Sequence, residues 1–326
     1  MTEALHHREL ESAEPLGFAN KLEARQRAVN SLLCVGLDPD ISKIPASFKA
    51  GIITSCMVRE KMSGIKKRLD RLGEEEAGKF MTSIIIEEFN KRIIDETHQY
   101  VSAFKPNIAF YARYGEFGIR ALKNTIKYIR EVDPTISIIL DAKRADIGAT
   151  NEGYADELCD IDADAMTVNP YFGIEGKGAL DPILNLKGKG VIILCRTSNL
   201  EAGEIQDLIV KHEEYGEVPL WKVIAHMAEI ARQKNPNVAI VMGATNPEQL
   251  KEVREIFKGN MLVPGLGKQG GKPEDLVDTF DENGLGIIAN NSSGIIHVSQ
   301  EENFAVVAGQ KAREWRDEIN AVRQAA

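Results

Sequence analysis

Long apolar runs are missing from this 326-residue chain. None approaches the ~20 residues needed to cross a bilayer, so a membrane-spanning helix is not expected. The N-terminal stretch MTEALHHREL also lacks the apolar core of a secretory signal. Cysteine is scarce: Cys34, Cys56, Cys159 and Cys195 lie far apart and form no C-x-x-C pair, which excludes the common zinc and redox motifs. A reduced, cytoplasmic setting fits that usage. Positive charge is in deficit, with 40 Lys and Arg against 49 Asp and Glu for a net charge of -9. That balance argues against a nucleic-acid or anionic-membrane partner and requires any anionic ligand to be held by a local basic pocket. Histidines are few, and His98, His226 and His297 stand at no metal-ligand spacing, so structural roles and no metal site are expected. The two tryptophans, Trp221 and Trp315, suggest no binding platform.

What is present is an ordinary globular composition, 43% apolar and 27% charged, which predicts a folded core. No repeat or low-complexity tract interrupts it, and residues 1–15 are expected to form a disordered tail. Eight short runs rich in Val, Ile and Leu read as strands buried on both faces: SLLCVGLD, VSAFKPNI, ISIILDAK, AMTVNP, GVIILCRTS, VAIVMGAT, MLVPGLG and LGIIANNS. Amphipathic helices are predicted between them, at 79–100, 116–132, 150–161, 219–234, 247–257 and 273–283. Alternation of strand and helix implies parallel strands with right-handed crossovers. Eight units in about 290 residues match a (β/α)8 TIM barrel, one α/β domain spanning 16–326; a doubly wound sheet is the structural competitor. Two connections run long. The charged segment at about 45–79 reads as an inserted helical hairpin, and 200–218 as a second insertion on the rim where lids occur.

In a barrel the ends of the strands face one mouth, and this chain places charge there repeatedly. The first strand ends in Asp38, the second carries Lys105, and the third carries Asp141 and Lys143. Alternation along the strand projects Asp141 and Lys143 to the same side, whereas Asp146 falls in the following turn. D-x-K-x-x-D also has a plain reading, a solvated turn with a helix-starting aspartate. Convergence of several charged strand ends favours the other reading, because buried ions must neutralise one another.

The motifs LCVGLDPD, FKPNIAFYARYGEFG, LDAKRADIGAT, TVNPYFG, CRTSN, VMGATNPEQL and LVPGLGKQGG, in that order, resemble the orotidine 5′-phosphate decarboxylase family in its longer form. The match runs roughly from Asn20 to Asn291. The resemblance implies decarboxylation of orotidine 5′-monophosphate to uridine 5′-monophosphate in pyrimidine synthesis, without metal or organic cofactor. It implies Lys143 as proton donor to C6, flanked by Asp141 and Asp146, and Asp38 and Lys105 on the ribose hydroxyls. Ser198 would contact the pyrimidine. Asp146, Ile147 and Thr150 would come from a neighbouring subunit, so a homodimer with shared active sites is implied. Each has a plainer role open to it: Asp38 before Pro39 as a turn former, Ser198 as a loop cap.

The glycine-rich PGLGKQGGK follows the seventh strand, where a barrel binds phosphate, and its backbone N–H groups are expected to cradle one. It contains G-x-G-x-x-G, but too late in the chain for a dinucleotide fingerprint. By resemblance Gly267 and Gln269 bind the phosphate. The family usually carries an arginine after the eighth strand, and here Ser293 stands in its place, so Lys268 or Lys272 is left to supply the positive charge. Two rivals remain: a metal-dependent sugar-phosphate decarboxylase or aldolase on the same barrel, and a nucleotide-binding barrel with reduced turnover. The first needs a glutamate where this chain has Lys105, whose ammonium repels a divalent cation.

Overall fold

A computed structural model describes residues 16–58, 69, 71–174 and 180–326. Eight parallel strands close into a barrel: β1 (Leu33–Leu37), β2 (Ala103–Pro106), β3 (Ser137–Arg144), β4 (Ala165–Val168), β5 (Gly190–Arg196), β6 (Val238–Met242), β7 (Met261–Val263) and β8 (Ile287–Asn291). Each pairs with its sequence neighbours, and Leu33 opposite Ala289 closes β1 onto β8. Seven of the eight fall within the runs that the apolar pattern predicts, and β3 extends one residue past its run, to Arg144.

Side-chain alternation sorts these strands into layers. Cys34, Ala103, Ile139, Ala165, Ile192, Ala239, Leu262 and Ile288, one from each strand, form a buried inner layer. Phe18 and Leu22 of the helix Phe18–Val29 close the barrel floor beneath it. Phe18 needs Gly190 to do so, because a Cβ there would lie 2.3 Å from its ring. The residues between, such as Leu33, Val35, Ile138, Leu140, Val191 and Ile193, pack outward on the helices. One pleat further toward the mouth the inward positions become polar, with Lys105 on β2, Asp141 on β3, Thr167 on β4 and Asn290 on β8. The apolar floor thus supports a charged upper layer.

Helices cover the barrel at Glu74–Thr97, Gly115–Val132, Thr150–Asp160, Leu220–Lys234, Pro247–Ile256 and Phe304–Ala325. The helix predicted at 273–283 does not form; only a 3-10 turn, Pro273–Leu276, is present. Asp281 explains the stop, since its Oδ1 accepts the N–H groups of Asn283 (2.9 Å) and Leu285 (2.8 Å), a local turn that competes with helix. Gly284 and Gly286 then adopt left-handed backbone. In the first long connection, Ala46–Val58 is helical; the predicted hairpin's charged middle lies outside the described residues, as does the predicted tail. The second holds a short helix, Gly203–Gln206, and an antiparallel hairpin, Ile209–His212 with Gly216–Pro219.

Candidate active site

The upper layer opens into a cleft of about 650 Å³ at the C-terminal end of the barrel. Asp141 anchors it. Its Oδ2 lies 2.9 Å from Lys105 Nζ and its Oδ1 2.6 Å from Lys143 Nζ. Thr167 Oγ1 donates to the same Oδ1 at 2.9 Å. Burial alone would raise the Asp141 pKa, but the two ammonium groups outweigh it and hold the carboxyl far below its usual range. Burial likewise opposes the charge on Lys105, yet Asp141 and then Asp38 push its pKa above the ordinary lysine value. Both groups are therefore ionised at any physiological pH.

Simple strand alternation does not finish the job of placing Lys143. The β3–β4 register shifts between Leu140 and Arg144, and Lys143 takes a left-handed backbone with φ 50°. For a side chain with a Cβ this costs on the order of 1 kcal/mol. Thr167 holds the kink, accepting the N–H groups of Ala142 and Lys143 on Oγ1, both at 3.0 Å. Lys143 is brought over the cleft and its side chain stays about half exposed (47%).

Asp38, Ser198, Gln269 and Ser293 also line the cleft. Asp146, Ile147 and Thr150 do not. The Asp146 carboxylate accepts the Ile147 N–H at 2.7 Å, Ile147 is 63% exposed, and Thr150 starts the following helix in the open. The glycine-rich loop differs from the expected cradle. The N–H groups of Gly267, Gly270 and Gly271 are spent within the loop, on Gly271 O, Gly267 O and Gly265 O. Gly267 therefore shapes the loop and does not offer a donor. Of the two lysines, Lys268 lines the cleft and Lys272 does not.

Sequence reasoning missed Thr167, Asn290, Asn291 and His297, all on the cleft wall. Among the described residues, nine buried side-chain atoms lack a hydrogen-bond partner, and four of them belong here: Asp38 Oδ1, Asn290 Oδ1, Asn291 Nδ2 and His297 Nδ1. Unsatisfied buried groups gathered in one cleft mark a polar binding site. Asn290 and Asn291 were visible as an odd polar pair ending an apolar strand. His297 was not, because it reaches the site from beyond the strand, with its Nε2 3.2 Å from both Asp38 O and Asp40 N and its ring stacked on Phe89.

The model of the orotidine 5′-phosphate decarboxylase / HUMPS family matches residues 31–297. The chain belongs to that family. A relative from Cellvibrio japonicus named orotidine 5′-phosphate decarboxylase is 37% identical over 314 residues, covering 94% of this chain and 100% of the relative. One of the same name from Dechloromonas aromatica is 39% identical over 310 residues, covering 94% and 99%. Among solved structures, Leishmania donovani OMP decarboxylase superposes with a TM-score of 0.72 at 30% identity over 95% of this chain and all of that one. A putative orotidine-monophosphate decarboxylase from Toxoplasma gondii gives 0.74 at 31% identity, covering 95% and 97%. The family's fold and this chain's closed barrel agree, and the Lys105–Asp141–Lys143 array sits at the barrel's C-terminal mouth.

Proposed function

We propose that the chain decarboxylates orotidine 5′-monophosphate to uridine 5′-monophosphate, with Lys143 delivering the proton to C6. The observation that carries this reading is the Lys143 ammonium held 2.6 Å from a buried Asp141 whose carboxyl pKa the neighbouring lysines hold far below its usual range, in a chain of this family. When the C6–carboxylate bond breaks, its electron pair stays on C6 in the plane of the ring, where the π system cannot take it up. A fixed ammonium stabilises that charge, gives C6 its proton and is left as a neutral amine that solvent reprotonates. Charge placed before the reaction costs no reorganisation during it. Every group required is a side chain, so the reading needs no metal or organic cofactor.

The remaining roles follow the cleft. Asp38 and Lys105 face the ribose hydroxyls, and Ser198 the pyrimidine. Gln269, Ser293 and Lys268 take the phosphate on the loop that Gly267 shapes, with Lys268 supplying the charge that a serine cannot. Asp146, Ile147 and Thr150 act in the cleft of a second copy, which makes the working unit a homodimer; their position outside their own chain's cleft supports this. Four free cysteines, and no helix among the described residues long and apolar enough to cross a membrane, fit a cytoplasmic enzyme of pyrimidine synthesis.

The ultraviolet change on conversion of orotidine to uridine monophosphate tests the assignment. Wild type is expected to turn over, and Lys143→Ala to lose at least roughly a thousandfold in kcat. Equal rates, or an inert wild type, would overturn it.

A further inference from the structure

The segment beyond β5 grips the cleft wall in a way that the chemistry above leaves unused. β5 ends in Arg196, whose side chain is 7% exposed. Its Nε donates to Asp207 Oδ1 at 2.9 Å and its Nη2 to Asp207 Oδ2 at 3.0 Å, while Nη1 donates to Thr197 O at 2.6 Å. Next to Asp207, Gln206 Oε1 accepts the Thr197 N–H at 2.8 Å, and Gln206 Nε2 donates to Thr197 Oγ1 at 3.0 Å. Thr197 Oγ1 donates in turn to Asn199 Oδ1 at 2.8 Å. Both neighbours of Ser198 are thereby fastened.

Ser198 needs such fastening. The β5–β6 register is irregular between Leu194 and Arg196, and beyond the irregularity the ladder holds β5 only at Arg196, opposite Met242 and bonded through its carbonyl to the Gly243 N–H at 2.8 Å. Ser198 instead leans on two positions without side chains. A Cβ on Gly243 would lie 2.7 Å from Ser198 Cα, and one on Gly265 would lie 2.9 Å from Ser198 Cβ. Those gaps set where Ser198 fits but do not hold it there. A two-pronged guanidinium–carboxylate pair does, because it fixes orientation as well as distance.

We propose that Gln206 and Asp207 are positioning residues for Ser198: the rim insertion is a clamp that, through Arg196 and Thr197, sets the Ser198 hydroxyl against the pyrimidine. This rests on the reading of Ser198 given above.

A double-mutant cycle tests it. Kinetics on orotidine 5′-monophosphate are measured for wild type, Asp207→Ala, Ser198→Ala and the double variant. Asp207→Ala is expected to lower kcat/KM about tenfold in the wild-type background and to have no further effect beside Ser198→Ala, since displaced positioning is lost only once. Because removing Asp207 strands the Arg196 charge, the same cycle is run with Gln206→Ala, which removes the bonds to the Thr197 N–H and hydroxyl and leaves the Arg196–Asp207 ion pair intact. Effects that simply multiply, or Gln206→Ala with wild-type kinetics, would overturn the clamp while the catalytic reading stands. An inert wild type would remove both.

Discussion

Lys105 Nζ meets Asp141 Oδ2 at 2.9 Å in a pair almost sealed from water, with side-chain exposures of 5% and 10%. Burying two opposite charges gains little by itself, but removing one partner strands the other. Asp141 is the more costly loss of the two, because it also faces Lys143. Asp141→Ala leaves two ammonium groups confronting each other, whereas Lys105→Ala leaves Asp141 still paired. Asp141→Ala is therefore expected to destabilise by about 3 kcal/mol and Lys105→Ala by clearly less, read as midpoints in urea unfolding. Equal costs would mean that the array is not organised around Asp141.

The depressed pKa of Asp141 makes a prediction about acid. Its folded value lies below the ordinary 3.8, so the unfolded chain binds the proton first. The stability that it contributes is present above about pH 4 and is lost as pH falls further, toward the folded value. Wild type should lose stability steeply below pH 4, and Asp141→Asn should show a shallower slope there. Parallel curves would contradict the ion pairing.

Thr167 gives a sharper test of how Lys143 is aimed. Thr167→Val keeps the shape but strands the N–H groups of Ala142 and Lys143 and removes one bond to Asp141. With the left-handed turn at Lys143 no longer held, kcat is expected to fall by roughly thirtyfold, equivalent to about 2 kcal/mol. KM should change little, because Thr167 touches Lys143, the proposed proton donor, and not the groups proposed to hold the substrate's remote parts. A rise in KM with kcat intact would assign Thr167 to binding instead.

Much of this was legible in the chain because a buried parallel strand is apolar throughout, so eight such runs stand out and a charge at the end of one is conspicuous. Asp141 and Lys143 could be placed on one side from their spacing alone. The left-handed φ at Lys143 could not, since nothing in LDAKRAD announces that a threonine on the next strand will capture two backbone N–H groups. Thr167 looked like a strand former, which is what its residue type favours. The missed end of the helix at Pro273 has the same origin. Pro-Glu-Asp is a good helix start, and the side chain that stops it, Asp281, acts through a turn that becomes evident only once Asn283 and Leu285 are seen bonded to it. Contacts between distant segments, such as His297 with Asp38 and Asp40, carry no local pattern at all.

Lys268 and Lys272 separate cleanly. Only the first lines the cleft, so Lys268→Ala should raise KM for orotidine 5′-monophosphate about tenfold and Lys272→Ala should leave it near the wild-type value. Orotidine without its phosphate supplies the control. On that substrate the Lys268→Ala enzyme should match wild type, since the lost interaction is absent from both. A penalty of equal size on both substrates would place Lys268 elsewhere in the mechanism.

The position of Asp146 makes the last prediction. Its carboxylate is turned to the N–H of Ile147, outside the cleft that holds Lys143 of the same chain. If it completes the cleft of a second copy, Lys143→Ala and Asp146→Ala damage different halves of each site. Each variant alone has no intact site, but a mixed dimer carries one site with both wild-type residues and one with neither. Random re-assortment makes half the dimers mixed, so an equal mixture should recover about a quarter of wild-type activity per chain. The recovery should grow with the time allowed for subunit exchange and be absent when either variant is assayed alone. A mixture no more active than its parts would place Asp146 outside the shared site and leave Asp141 as the carboxylate on which Lys143 depends.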